Sequence, residues 1–257
     1  MIFDAHLHLP CFDPDSSLND KKLRLLNDIE KLDILGGIVI ADSEKNSPIG
    51  NNEECLMLFN DCNNIFVMAG ISPLIDYDDQ LRFISENIKY GKIIGIKLYP
   101  GHEPYFVNDN RLEKVFKLCE TVNIPMAIHT GWDNSEYNDP KYIAKIAQEH
   151  PKLKIVICHL WYPHISYCIK TTENNENIFY DISSLAHEQE KITEITLELS
   201  KIAQKYPDRL IFGSDYSACN IQLHIDLVNN LDILEKGKEL IRWKNAIKVY
   251  NLKNIMA

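Results

Sequence analysis

His6 and His8 close the first apolar run of the chain, with one leucine between them. Residues i and i+2 of an extended strand point to the same side, so both imidazoles face one way. Two convergent imidazoles at that spacing are a starting pair for a zinc-type ion, although paired histidines also occur as hydrogen-bonded core residues. Other apolar runs carry ionisable groups at their ends in the same manner: PMAIHT reaches His129, KIVICH ends on His159 and RLIFGSD ends on Asp215. Such groups are costly to bury without partners. Found together at matching places, they argue for one shared site rather than for separate structural pairings.

The elements that position them follow a regular rhythm. Apolar, Ile/Val-rich runs begin near Ile2, Gly36, Ile65, Lys92, Pro125, Lys154, Asn177 and Arg209. Continuous runs of this kind read as parallel strands buried on both faces. Polar stretches with helical periodicity lie between them, with stripes Leu23/Leu26/Ile29/Leu32, Leu81/Ile84/Ile88 and Leu112/Val115/Phe116/Cys119. Strand starts recur every ~23 to 34 residues, the length of a βα unit. The pattern predicts a (β/α)8 TIM barrel over 1–257, a single domain with a C-terminal helix around Gly237 to Tyr250. The rival is an open doubly wound sheet, but no GxGxxG turn follows the first strand, where DAHLHLP stands. The irregular segments Pro10 to Leu18, Ser43 to Asn51 and Gly101 to Asn108 follow strand C-termini, where barrels carry their working loops.

DAHLH (4–8), GIKLYPG (95–101), IHTG (128–131), HL (159–160), YDIS (180–183), FGSD (212–215) and NAIKVYNL (245–252) resemble the amidohydrolase superfamily, most of all its amidohydrolase-related (type 2) branch. The resemblance covers essentially the whole chain. It implies that His6, His8, His129 and Asp215 ligate a metal, and that His159 is a catalytic histidine beside it or a ligand to a second ion. Three neutral nitrogens and one carboxylate hold one divalent ion and leave a position for water, which the ion acidifies. Asp215 could then take the water's proton, while His159 orients the attack, polarises a carbonyl or protonates the leaving group. Zinc is the expected ion, and one the expected count. A carboxylated Lys97, as in some relatives, would bridge two. The plainer readings pair Lys97 with an inward carboxylate such as Asp4, or with an anionic substrate. Tyr99, Trp132 and Tyr216 are candidate substrate contacts, and His102 and Trp161 follow strands as well. Asp181, Ser183 and Ser184 either hydrogen-bond the site or cap the next helix.

Charge narrows the function. A net charge of -10 repels phosphate backbones, so a small molecule rather than nucleic acid is the expected partner. No apolar run is long enough for a bilayer. The odd number of cysteines, seven, without a CxxC pair suits a reducing compartment, and with no secretory signal at Met1 the expectation is a cytoplasmic protein. Arg24, Arg82, Arg111 and Arg242 fall in predicted helices and Arg209 at the start of the last strand, which leaves no arginine to grip a di-acid at the barrel mouth. The leading expectation is a metal-dependent hydrolase of an amide, lactone or cyclic imide. A metal-dependent decarboxylase or hydratase is the alternative. A metal-dependent DNase or phosphoesterase would want a glutamate where Lys97 stands, and a non-catalytic metal-binding barrel would not need an open coordination position. The oligomeric state, a homo-oligomer included, is not legible.

Overall fold

The computed structural model describes residues 1–11, 15–132 and 135–252. Eight parallel strands pair in sequence order: β1 Phe3–Leu7, β2 Gly36–Ile40, β3 Ile65–Gly70, β4 Ile93–Leu98, β5 Met126–Ile128, β6 Ile155–Cys158, β7 Ile178–Asp181 and β8 Leu210–Ile211. Each starts on the first or second residue of its apolar run. The β8–β1 seam is closed by single bonds: Ala5 N–H donates to the Phe212 carbonyl at 3.0 Å and Asp215 N–H to the His6 carbonyl at 2.9 Å. The strand order never reverses, so this is a (β/α)8 TIM barrel and not a doubly wound sheet.

Each strand is followed by a helix: α1 Leu18–Lys31, α2 Asn52–Leu58, α3 Tyr77–Ile88, α4 Glu113–Val122, α5 Pro140–Glu149, α6 Ile165–Thr172, α7 Ile192–Lys205 and α8 Ile221–Asn229. Local chemistry sets their starts. Asn51 and Glu54 form a reciprocal capping box on α2, and Asp139 caps α5 just before a proline at its first position. The α1 stripe differs from the expectation. Leu23 is 63% exposed, while Lys21 is 3% exposed and faces inward with Leu25 and Ile29. Lys21 buries its stem and donates from Nζ to the Pro48 carbonyl at 2.8 Å, which makes a lysine serve an apolar position.

Two apolar layers result. Leu7, Val39, Val67 and Ile157 pack outward against the helices. Phe3, Ile38, Met68, Val156 and Ile211 fill the barrel's inside together with Trp243, Ala246 and Val249. Those last residues belong to the C-terminal helix, which runs as α9 Glu235–Glu239, a π-helical stretch Leu240–Lys244 and α10 Asn245–Val249. Lys154, at the start of β6, donates to the Val249 carbonyl at 3.1 Å, and Asn245 donates to the Leu210 carbonyl at 2.7 Å. The helix therefore plugs the N-terminal end of the barrel and leaves the opposite end open.

Candidate metal centre

The C-terminal strand ends converge as the rhythm of the sequence requires. A register shift in β1 between Asp4 and Leu7 puts Ala5 in the inner layer and Leu7 in the outer one, with His6 and His8 at the mouth. After β8 the chain must pass very close to β1 and β7. A Cβ on Gly213 would lie 2.4 Å from Asp181 Oδ1 and 2.7 Å from His6 Cβ, so only glycine fits. Ser214 N–H then donates to Asp4 Oδ1 at 3.0 Å, and Asp215 follows in a left-handed conformation, φ 62°. His159, Leu160 and Trp161 after β6 are left-handed too. Non-glycine residues held this way cost about 1–3 kcal/mol each, and such strain concentrates at functional sites.

His6 donates from Nδ1 to Asp181 Oδ2 at 2.5 Å, and His8 from Nδ1 to the Ile40 carbonyl at 3.3 Å. These bonds assign the tautomers and leave both Nε2 atoms as lone-pair donors. Both Nε2 atoms lie 3.4 Å from the same Asp215 Oδ1. Ser184 Oγ donates to the other Asp215 oxygen. Three electron-pair donors therefore face one another with no hydrogen between them, and His6, His8 and Asp215 are close enough to share one ion. Burial raises the Asp215 carboxyl, and protonated rings at His6, His8 and His159 would outweigh it and hold it well below the usual range; burial in turn lowers His6 and favours its neutral ring. A neutral imidazole pair and an ionised carboxylate are the states a divalent cation requires.

The other two histidines complete an inner ring. His159 lies between His6 and His129, with ring centroids 5.1 and 5.0 Å away. Its Nδ1–H donates to the Ser183 carbonyl at 3.1 Å, and burial pushes its pKa down to about 3, so it is neutral with a free Nε2 lone pair. His129 Nε2 is buried with no hydrogen-bond partner, an orphan that a cation would satisfy, although His129 stands outside the tight trio.

Lys97 is fully buried and donates to Cys158 Sγ at 3.0 Å, not to Asp4. Asp4 instead accepts from the backbone N–H groups of His6 and Ser214, and burial pushes its carboxyl up to about 7. Of the candidate substrate contacts, Tyr99 lines the cleft above the trio. Trp132 packs on Tyr162 with ring centroids 4.8 Å apart. The Tyr216 hydroxyl donates to Asp28 of α1 at 2.9 Å. Neither lines that cleft. Asp181 and Ser183 turn inward rather than capping a helix: Ser183 Oγ donates to Asp181 Oδ2 at 2.9 Å and sits 3.0 Å from His6 Nδ1.

The cleft measures about 390 Å³ and is walled by His8, Tyr99, His102 and Asp215, with Asp42, Glu44 and Glu103 beside them. Its walls come from the loops after β1, β2, β4 and β8, although the Pro10 to Leu18 segment lies partly outside the described residues. Sequence reasoning passed over Asp42 and Glu103. Asp42 had the same signal as the histidines, an acid closing the GGIVIAD run; Glu103 had none beyond its place in a working loop.

The amidohydrolase family model matches residues 3–252, and the chain belongs to that family. Among solved structures it is similar to an uncharacterised TIM-barrel protein from Bordetella bronchiseptica, with TM-score 0.75, 19% identity and coverage of 97% of this chain and 98% of that one. It is also similar to a dihydroxybenzoic acid decarboxylase from Polaromonas sp. with bound manganese and 2-nitroresorcinol, with TM-score 0.69, 14% identity and coverage of 99% and 98%. A dihydroorotase from Campylobacter jejuni superposes with TM-score 0.64, 18% identity and coverage of 98% and 83%. At these identities the likeness is one of fold. No curated protein sequence matches the chain.

Proposed function

We propose that this member of the amidohydrolase family is a metal-dependent hydrolase of a small-molecule amide, lactone or cyclic imide. The observation that supports it is the meeting of His6 Nε2, His8 Nε2 and Asp215 Oδ1 at the floor of a cleft with no lysine or arginine among its described lining residues. His6, His8 and Asp215, with His129 as further donor, would hold a divalent ion, which would supply Lewis acidity and a more acidic water. Zinc and manganese both suit the donor set.

The chain's own groups then divide the work. Asp215 accepts the proton of the attacking water, and Ser184 steadies its second oxygen. His159 Nε2 accepts a hydrogen bond from the same water and aims it; being neutral, it polarises a carbonyl only after it has gained a proton. Asp181 keeps the His6 ring oriented through Nδ1. Lys97, bound to Cys158, is read as an unmodified lysine and the site as one-ion. The seven free cysteines support a reducing compartment such as the cytoplasm, and among the described residues no helix is long and apolar enough to cross a membrane.

The test is a panel of lactones, acyl amides and cyclic imides in ¹⁸O-labelled water, with manganese- or zinc-reconstituted protein. Turnover that a chelator stops and metal restores, with one labelled oxygen in the product, supports hydrolysis. Release of carbon dioxide from aromatic carboxylates with an inert panel would replace this reading by decarboxylation, which the same donor set serves.

A further inference from the structure

The cleft walls carry an unusual balance of charge. Asp42, Glu44, Glu103 and Asp215 line one small space, and no lysine or arginine joins them among the described residues. A divalent ion on the floor offsets two of those four negative charges and leaves the rim acidic. Of the nearby lysines, Lys45 pairs with Asp76 at 2.8 Å; Lys97 lies outside the cleft lining, buried on Cys158 Sγ at 3.0 Å with its Nζ 5.3 Å from the Tyr99 ring.

The two inner rim carboxylates are also held in place by neutral donors. Asp42 accepts from Ser47 Oγ at 2.7 Å and from Glu44 N–H at 3.2 Å. Glu103 accepts from Ser72 Oγ, and from Ser43 Oγ at 3.4 Å. Hydroxyl and amide donors fix a carboxylate's direction without cancelling its charge. Beside them Tyr99 contributes to the cleft wall, while its hydroxyl is buried away from it with no hydrogen-bond partner.

Resting on the hydrolase reading, we propose that the substrate carries a cationic nitrogen, a protonated amine or guanidinium, which docks between Asp42 and Glu103 while its scissile carbonyl lies over His8 and Asp215. The rim then rejects anionic substrates by repulsion, and Tyr99 offers the intervening part of the substrate a ring to lie against. This arrangement separates a recognition end, built of oriented carboxylates, from a reacting end, built of the metal trio.

The test uses three hydroxamic acids that share one linker and end in an ammonium, a hydroxyl or a carboxylate. Calorimetry measures their binding to the full chain reconstituted with manganese. The ammonium probe is expected to bind about tenfold tighter than the hydroxyl probe, and the carboxylate probe weakest, with the spread shrinking in salt. In the Asp42→Asn/Glu103→Gln double variant, whose amide oxygens still accept from the serines, the ammonium advantage should fall to about twofold or less. Equal binding of the three probes, a carboxylate preference, or an ammonium advantage that survives the double variant overturns the inference even if lactones or amides are hydrolysed. The expected ranking with an inert hydrolysis panel leaves the inference standing and removes the hydrolase reading. No binding by any probe overturns both.

Discussion

The two ends of the barrel both bury charge, and they treat it in opposite ways. At the N-terminal end Arg209 is 8% exposed and gives its guanidinium protons to the Ile178, Glu173 and Asn175 carbonyls and the Tyr180 hydroxyl, each within 2.8–2.9 Å. Donors meet acceptors around Arg209, which keeps an ordinary backbone, although Trp243 Nε1 and Arg242 Nε of the plugging helix have no hydrogen-bond partner and Asp33 and Asn123 at this end are left-handed. At the C-terminal end acceptors meet acceptors: two imidazole Nε2 atoms crowd one carboxylate oxygen, and His129 Nε2 has no partner. Trp132, His159, Leu160, Trp161, Ser184 and Asp215 at that end all hold left-handed backbone. A satisfied cluster stabilises the fold; an unsatisfied, strained one is completed by something from outside. The comparison teaches which buried polar groups to read as function.

The sharpest way to break it is to change one group at each end. Asp215→Asn is expected to lower kcat about a thousandfold with little change in unfolding free energy, measured by urea denaturation of the chelated protein beside steady-state assays. Arg209→Ala should do the reverse, costing roughly 3–5 kcal/mol of stability by stranding buried carbonyls while kcat per folded molecule stays constant. If both variants lost stability alike, the distinction between the ends would be gone.

A milder change sharpens the account of the mouth. Asp181→Asn should weaken metal affinity by about 10–100-fold, because His6 loses the carboxylate that fixes its ring and tautomer. Competition against a chromogenic chelator reads the shift, and unchanged affinity would make Asp181 a purely structural partner.

The most gradual effect is a pH dependence. His159 is held near a pKa of about 3 by burial, below its ordinary value of 6.5, so the unfolded chain binds its proton first as pH falls. The stability it contributes is present above about pH 6.5 and drains as pH falls toward 3, by at most about 1.4 kcal/mol per pH unit for one group. His159→Asn should flatten that slope in the metal-free protein. An identical slope in the variant would mean that other groups govern acid unfolding.

The barrel was legible because its information is local. Parallel strands buried on both faces must be apolar runs, and a βα unit has a fixed length, so all eight strand starts could be placed to within a residue. His6, His8, His129, His159 and Asp215 stood out because each ends such a run, and the structure sets them around one mouth. What was not legible depends on geometry across the barrel. Asp181 reaches His6 over the β8 crossing only because residue 213 is glycine. Tyr216 follows a ligand candidate in sequence but turns outward to Asp28. Lys21 occupies an apolar position through a carbonyl that lies 27 residues away. No pattern of residue types along one segment carries those distances.

The central claim is that His6, His8 and Asp215 form one catalytic cation site in a fold that stands without the ion. Calorimetric titration of manganese or zinc into chelator-stripped protein, with circular dichroism on the same samples, tests it most directly. The account predicts about one equivalent bound, unchanged secondary structure before and after, and loss of that binding in His8→Ala. No binding, two equivalents, or a fold that melts when the metal is removed would contradict it.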